Sequence, residues 1–98
     1  MSEQKVQAKI LKWLKDEGHY VFKTIVCNRS GIPDIIGCTH WGRFFAIEVK
    51  YGANKPTKLQ EWNVMEIKKR GGIAAVSYTH LRAHETGRNI VCRLLLEK

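Results

Sequence analysis

The segment RFFAIEVK, residues 43–50, narrows the choice of fold more than any other part of this chain. Four consecutive apolar residues, 44–47, leave no polar side for water, so a strand here needs cover on both faces. That points to a sheet flanked by helices. The run then ends in charge. Strands pleat with period two, so Glu48 and Lys50 project to one face and Val49 to the other.

The neighbouring segments supply the layers. In residues 2–17 the apolar Val6, Ile10, Trp13 and Leu14 recur at helical spacing, with Ser2 placed to cap the helix and Gly18 to stop it. Residues 19–26, HYVFKTIV, are β-branched and aromatic and read as a first strand. CNRSGIP is turn chemistry, after which Asp34 opens the short strand IIGC, and THWG turns the chain into RFFAIEVK. Beyond the loop YGANKPT, Thr57 is placed to cap a second helix reaching Arg70, with Leu59, Trp62, Met65 and Ile67 inward. Gly71 and Gly72 end it, and IAAV begins a fourth strand. The expected order is αβββαβ, an α/β domain with a mixed central sheet and no internal repeats.

Ninety-eight residues, 44% hydrophobic and with nine aromatics, suffice for one small globular domain. No apolar stretch approaches the roughly 20 residues needed to cross a bilayer, and the N-terminus lacks a signal peptide's apolar region. The expectation is a cytoplasmic protein of a bacterial or phage-infected cell, without a membrane partner. Cys27, Cys38 and Cys92 are an odd count without CxxC spacing, which fits free thiols in a reducing compartment. Cys27 and Cys38 with His40 fall one ligand short of a zinc site. His19 and His40 have no evident partners and are not offered as general bases. Trp13 and Trp62 lie on apolar stripes and read as core.

The C-terminal part stands apart. VSYTHLRAHET, residues 76–86, resembles the conceptual translation of a transposase-type sequencing adapter, and VCRLLLEK, residues 91–98, resembles the far end of the same adapter. The expected division is a domain over residues 1–76, truncated at its C-terminus, and a non-native tail over 77–98. His80, His84 and Cys92 then carry no chemistry. The formal net charge of +8 becomes +6 over residues 1–75, from 13 Lys+Arg against 7 Asp+Glu, so a polyanionic partner is still favoured.

On such a chain, carboxylates at the ends of core strands need a reason. Exposed, Glu48 and Lys50 would be an ordinary strand-end ion pair worth about 0.2–1 kcal/mol. In a cleft for nucleic acid, Asp34 and Glu48 would repel phosphate. A divalent cation reverses that sign: Mg²⁺ takes oxygen ligands, draws in a phosphate, and lowers the pKa of a bound water that Lys50 can orient. A lone ExK or Pro-Asp is a weak signal. GIPDII followed fourteen residues after the aspartate by a strand ending in ExK is a specific one.

With GIPD at residues 31–34, GRFFAIEVK, KLQ opening the second helix and GGIA beyond it, the chain resembles the VRR-NUC domains of the PD-(D/E)xK nuclease superfamily over residues 3–76. The resemblance implies a restriction-endonuclease-like fold and a Mg²⁺-dependent nuclease acting on structured or branched DNA, with Mn²⁺ able to substitute and no further cofactor. It implies that Asp34, Glu48 and the Val49 carbonyl hold the metal, that Lys50 is the catalytic lysine, that Gln60 is the family's helix glutamine, and that Glu3 is the acidic residue of the first helix. Small members of the family look like phage-type enzymes, and a homodimer is expected. Arg29, Ser30, Lys55 and Lys58 lie in the two loops placed to flank the site and are candidates to hold the DNA backbone. A Holliday-junction resolvase of the same superfamily and a noncatalytic DNA-binding module remain alternatives.

Overall fold

The computed structural model describes residues 3–79, without the side chains of Glu3 and Thr79. Helix α1 (Glu3–Asp16) leads into strands β1 (Tyr20–Lys23), β2 (Ile35–Cys38) and β3 (Phe44–Tyr51), then helix α2 (Lys58–Lys69) and strand β4 (Ile73–Thr79). The sheet order is β1-β2-β3-β4, antiparallel except for the parallel β3–β4 pair, across which α2 forms the crossover. Both the αβββαβ order and the mixed sheet are those read from the sequence.

The four-residue spacing of Val6, Ile10 and Leu14 sets them on one stripe of α1, where they meet Val21, Ile35, Phe45, Ile47, Val49 and Ile73 on one face of the sheet. Alternation sends Ala46 and Glu48 to the opposite face, which α2 covers, its Gln60 reaching Glu48. Residues 45–49 are at most 3% exposed, so β3 is covered on both faces. Phe44 departs from this expectation at 46% exposed, because it stands at the open end of the strand.

Two further expectations are corrected. β1 ends at Lys23, and Ile25 and Val26 stand 85% and 91% exposed. Thr24 is the last residue to reach across, its amide donating to the Asp34 carbonyl (2.8 Å). Opposite the next positions comes Pro33, which has no N–H to continue a ladder. The rotation of α2 also differs. Asn63 and Val64 are buried, whereas Leu59, Trp62 and Met65, expected inward, are about half exposed. Polar tethers decide this rotation: Asn63 Nδ2 donates to the Ser30 carbonyl (3.3 Å), and Gln60 Nε2 donates to Glu48 Oε2 (3.2 Å).

Thr57 caps α2 as read, through a reciprocal box in which the Gln60 amide donates to Thr57 Oγ1 (3.1 Å) and Gln60 Oε1 accepts from the Thr57 amide (2.8 Å). Gly18 and Gly71 follow the two helices. Residues 76–79 of the adapter-like stretch continue β4, Ser77 opposite Val49 and Tyr78 opposite Lys50. Ser2, His80, His84 and Cys92 lie outside the described residues. No helix among the described residues is long and apolar enough to cross a membrane.

At Gly37 an added Cβ would run into the Tyr20 carbonyl and come within 2.9 Å of the Phe45 ring. Gly37→Ala should therefore cost about 1–3 kcal/mol in urea unfolding. On α2, Val64→Ala should cost about 1–3 kcal/mol and Met65→Ala less than about 0.5 kcal/mol. Equal losses at 64 and 65 would contradict the helix rotation.

Candidate active site

The site begins with a backbone clamp. The Thr24 hydroxyl donates to the carbonyls of Pro33 (2.8 Å) and Asp34 (3.1 Å), fixing the peptides on either side of Asp34 at the mouth of β2. Gly31 makes the preceding turn possible: its φ is +77°, and a Cβ there would lie 2.7 Å from Leu59 Cγ and 3.0 Å from Asn63 Nδ2. The loop is thus held against α2 on one side and β1 on the other. So placed, Asp34 Oδ2 accepts the Val49 amide of β3 at 2.9 Å. The two strand ends are joined by the carboxylate itself.

Glu48 is 1% exposed, a carboxylate buried in the sheet, and its Oε2 takes two donors: Lys50 Nζ at 3.3 Å and Gln60 Nε2 at 3.2 Å. Gln60 therefore works with both ends of its amide, the oxygen capping α2 and the nitrogen holding Glu48. Glu48 Oε1 is buried and receives no hydrogen bond. Burial, then the negative charge of Asp34, push the Glu48 carboxyl up to about 7 against the opposing pull of Lys50, with the two carboxyl groups near enough to share a hydrogen bond.

This donor set fits a hard divalent cation. Two neighbouring carboxylates, one with a buried oxygen that lacks a hydrogen bond, favour positive charge, and one or two carboxylates completed by other oxygens are the usual complement of Mg²⁺. Among the described residues no cluster of three or more His, Cys, Asp or Glu side chains forms a metal site, so Cys27, Cys38 and His40 do not make one.

The structure thus brings together Asp34, Glu48, Lys50 and Gln60, with the Val49 backbone between them. Glu3 is the first residue of α1, and its side chain lies outside the described part. Arg29, Ser30, Lys55 and Lys58 are exposed in the two expected loops or at the start of α2, and none of them contacts the carboxylates in the hydrogen bonds and ion pairs seen here. Trp62 is half exposed instead of core, with the Arg29 guanidinium 5.8 Å from its ring centroid. His19 and His40 do have partners: their rings stack at 5.2 Å, and His19 Nδ1 accepts the His40 amide. Burial, with His40 beside it, holds the His19 imidazole below its ordinary range.

Thr24 and Asn63 were not singled out from the sequence. Thr24 sat inside a strand-like run with nothing to mark it. For Asn63 a signal existed: with Gln60 facing the site, helical geometry puts positions 63, 64 and 67 on the same side.

A folded-state value of about 7 against an ordinary 4.5 means that native Glu48 keeps a proton that the unfolded chain gives up. Stability from this group in metal-free protein is full below about pH 4.5 and is lost as pH rises toward 7. His19 acts in the other sense below about 6.5, so the readout is the difference between wild type and Glu48→Gln. Thermal melts in chelator should show wild type losing stability relative to Glu48→Gln across that window, and a constant difference would contradict the buried carboxyl.

No protein-family model and no curated protein sequence match the chain. Solved structures do. A VRR_NUC domain is 25% identical, with a TM-score of 0.71 over 89% of this chain and 94% of that one. A VRR_NUC domain protein is 18% identical, with a TM-score of 0.75 over 98% and 89% of the respective chains. Hjc of Archaeoglobus fulgidus, a Holliday junction resolvase from an archaeal hyperthermophile, is 22% identical, with a TM-score of 0.59 over 83% of this chain and 66% of its own. The fold of this chain is the restriction-endonuclease-like α/β fold of VRR_NUC domains, and Hjc shares that fold.

Proposed function

We propose that the protein is a metal-dependent nuclease that hydrolyses DNA phosphodiester bonds, acting on structured or branched DNA in replication, repair or phage DNA processing. One observation carries this reading: Asp34, Glu48 and Lys50 converge from adjacent strand ends, with one carboxylate oxygen buried and without a donor. A noncatalytic DNA-binding module gains nothing from buried carboxylates at a surface meant for phosphate. The likeness to Hjc supports a Holliday-junction resolvase as the second reading.

In this reading Asp34, Glu48 and the Val49 carbonyl hold Mg²⁺, for which Mn²⁺ substitutes, with Glu3 as a further acidic group. Once bound, the ion supplies a Lewis acid for the phosphoryl oxygen and an acidified water. The chain's own residues prepare the site. Gln60 and Lys50 hold Glu48 Oε2, leaving Oε1 for the ion. The Lys50 ammonium also orients the attacking water and stabilises charge that develops on the phosphate. Val49 N–H fixes the rotamer of Asp34. Arg29, Ser30, Lys55 and Lys58 hold backbone phosphates along the rim, where the chain's positive charge attracts DNA.

With Mg²⁺, purified protein should cut plasmid or branched DNA, and a panel of junction, flap and duplex substrates should reveal its preference. Lys50→Ala should lower the rate at least about 10²-fold while its circular dichroism stays native. Gln60→Ala should lower it about 10- to 100-fold, as expected for a group that orients a ligand. Mg²⁺ should raise the melting temperature of wild type and Lys50→Ala but not of Asp34→Asn. Cleavage that persists in excess chelator would rule the mechanism out.

A homodimer is part of the same proposal. β1 lies at one edge of the sheet, and it and the segment after it expose Tyr20, Phe22, Ile25 and Val26. Light scattering should give about twice the 11.3 kDa chain mass, and Ile25→Asp should return it to one chain. A wild-type monomer at working concentration would exclude this surface as a dimer contact.

A further inference from the structure

Beside the carboxylates, on the same face of the sheet, α2 and the turn before β2 enclose an open cavity of about 400 Å³. Its walls are apolar and aromatic: Pro33, Ile36, Phe44, Ile67 and Trp62, the last two from α2. Phe44 and Trp62 are about half exposed, an unusual allowance of bare aromatic surface for so small a chain. Its rim is cationic. Arg29 lies over the Trp62 ring, and Arg70 closes the far side. Glu66, also in the lining, is held by Arg70 (2.9 Å) and by Lys69 outside it (3.2 Å), which keep its carboxyl below the ordinary range, so the lining carries two cations, Arg29 and Arg70, against one carboxylate.

The cavity is also wired to the catalytic loop. Pro33 in its wall immediately precedes Asp34, and Asn63 in its lining donates to the Ser30 carbonyl. Gln60, which holds Glu48, lies three residues before Asn63 on the same side of α2. The near end of the cavity, at Trp62 and Asn63, thus lies within one helical turn of Gln60, which holds Glu48.

Resting on the nuclease reading, we infer that this cavity receives an unpaired nucleobase of the DNA substrate, stacked on Trp62, while Arg29 bridges from the indole to the adjoining phosphate. An aromatic floor takes any base because every base has a π-face, and a guanidinium set over an aromatic ring keeps a planar fork of donors for phosphate. A paired duplex offers no free base, and its phosphates alone cannot use an apolar cavity. The site thus gives the enzyme a physical reason to prefer branched or flapped DNA to plain duplex. Trp62 and Arg29 are in this view positioning residues, seating the strand so that its neighbouring phosphodiester meets Asp34 and Glu48.

The test uses the full chain carrying Lys50→Ala, with Mg²⁺, and two fluorescein-labelled probes: a duplex with a three-nucleotide unpaired flap, and the same duplex without it. The flap probe should bind about tenfold more tightly, as one stacked base supplies. Trp62→Ala should remove that preference with less than a twofold change for the blunt duplex, and Trp62→Phe, which keeps a flat ring, should retain most of it. 2-Aminopurine at the first unpaired position should be quenched with Trp62 present and not with Ala. Equal binding of the two probes, or a flap preference that survives Trp62→Ala, overturns the inference while the nuclease reading stands on its cleavage assay. A Trp62→Ala change that alters the chain's mass by light scattering and leaves flap binding intact also overturns it, in favour of a second copy in the cavity. Absence of binding to either probe overturns both.

Discussion

The whole arrangement depends on a buried negative charge. Moving a carboxylate such as Glu48 into a sheet covered on both faces costs several kcal/mol unless other groups compensate it. The fold supplies part of that compensation, with Lys50 from the same strand and Gln60 from α2, both on Oε2. It leaves the other oxygen bare and sets Asp34 close by, which makes matters worse. In a structural ion pair such an imbalance would be a defect. As a seat for a divalent cation it would be a reserve of binding energy, because an ion there would relieve the repulsion that the fold has created.

The surrounding architecture follows from keeping that imbalance in place. Asp34 can point inward only because its loop is tied at both ends, by Thr24 just beyond β1 and by Asn63 on α2. The same Asn63 and Gln60 turn α2 so that its polar stripe meets the sheet, and its larger apolar side chains are left facing out. The exposed Trp62 is thus a consequence of the hold that α2 keeps on Glu48 and the Ser30 loop. A helix rotated to bury Leu59, Trp62 and Met65 would gain apolar burial and lose its grip on Glu48. The smaller burial leaves an aromatic surface exposed next to Arg29.

Much of this was legible in the residues themselves. Period two put Glu48 and Lys50 on one face, the apolar run 44–47 called for a doubly covered strand, and turn chemistry placed Asp34 at the mouth of β2. Thr57 was legible as the cap of α2, while the reciprocal bond from Gln60 is seen in the structure. The inward face of α2 was misread because hydrophobic periodicity weighs only apolar residues, and here a polar stripe of residues 60 and 63 wins through hydrogen bonds to other elements. β1 was read too long because β-propensity cannot know that its partner strand is cut short by Pro33.

The sequence by itself determined the elements, their order and the residue types able to hold a hard cation, since these follow from local spacing, pleat and cap chemistry. Only the tertiary structure decided that Asp34 Oδ2 meets the Val49 amide, that Glu48 Oε1 is left without a donor, and that Trp62 faces the cavity beneath Arg29. Those facts depend on contacts between residues 12 to 33 positions apart. Such distances are set by how helices and strands settle against one another, and no local pattern encodes them.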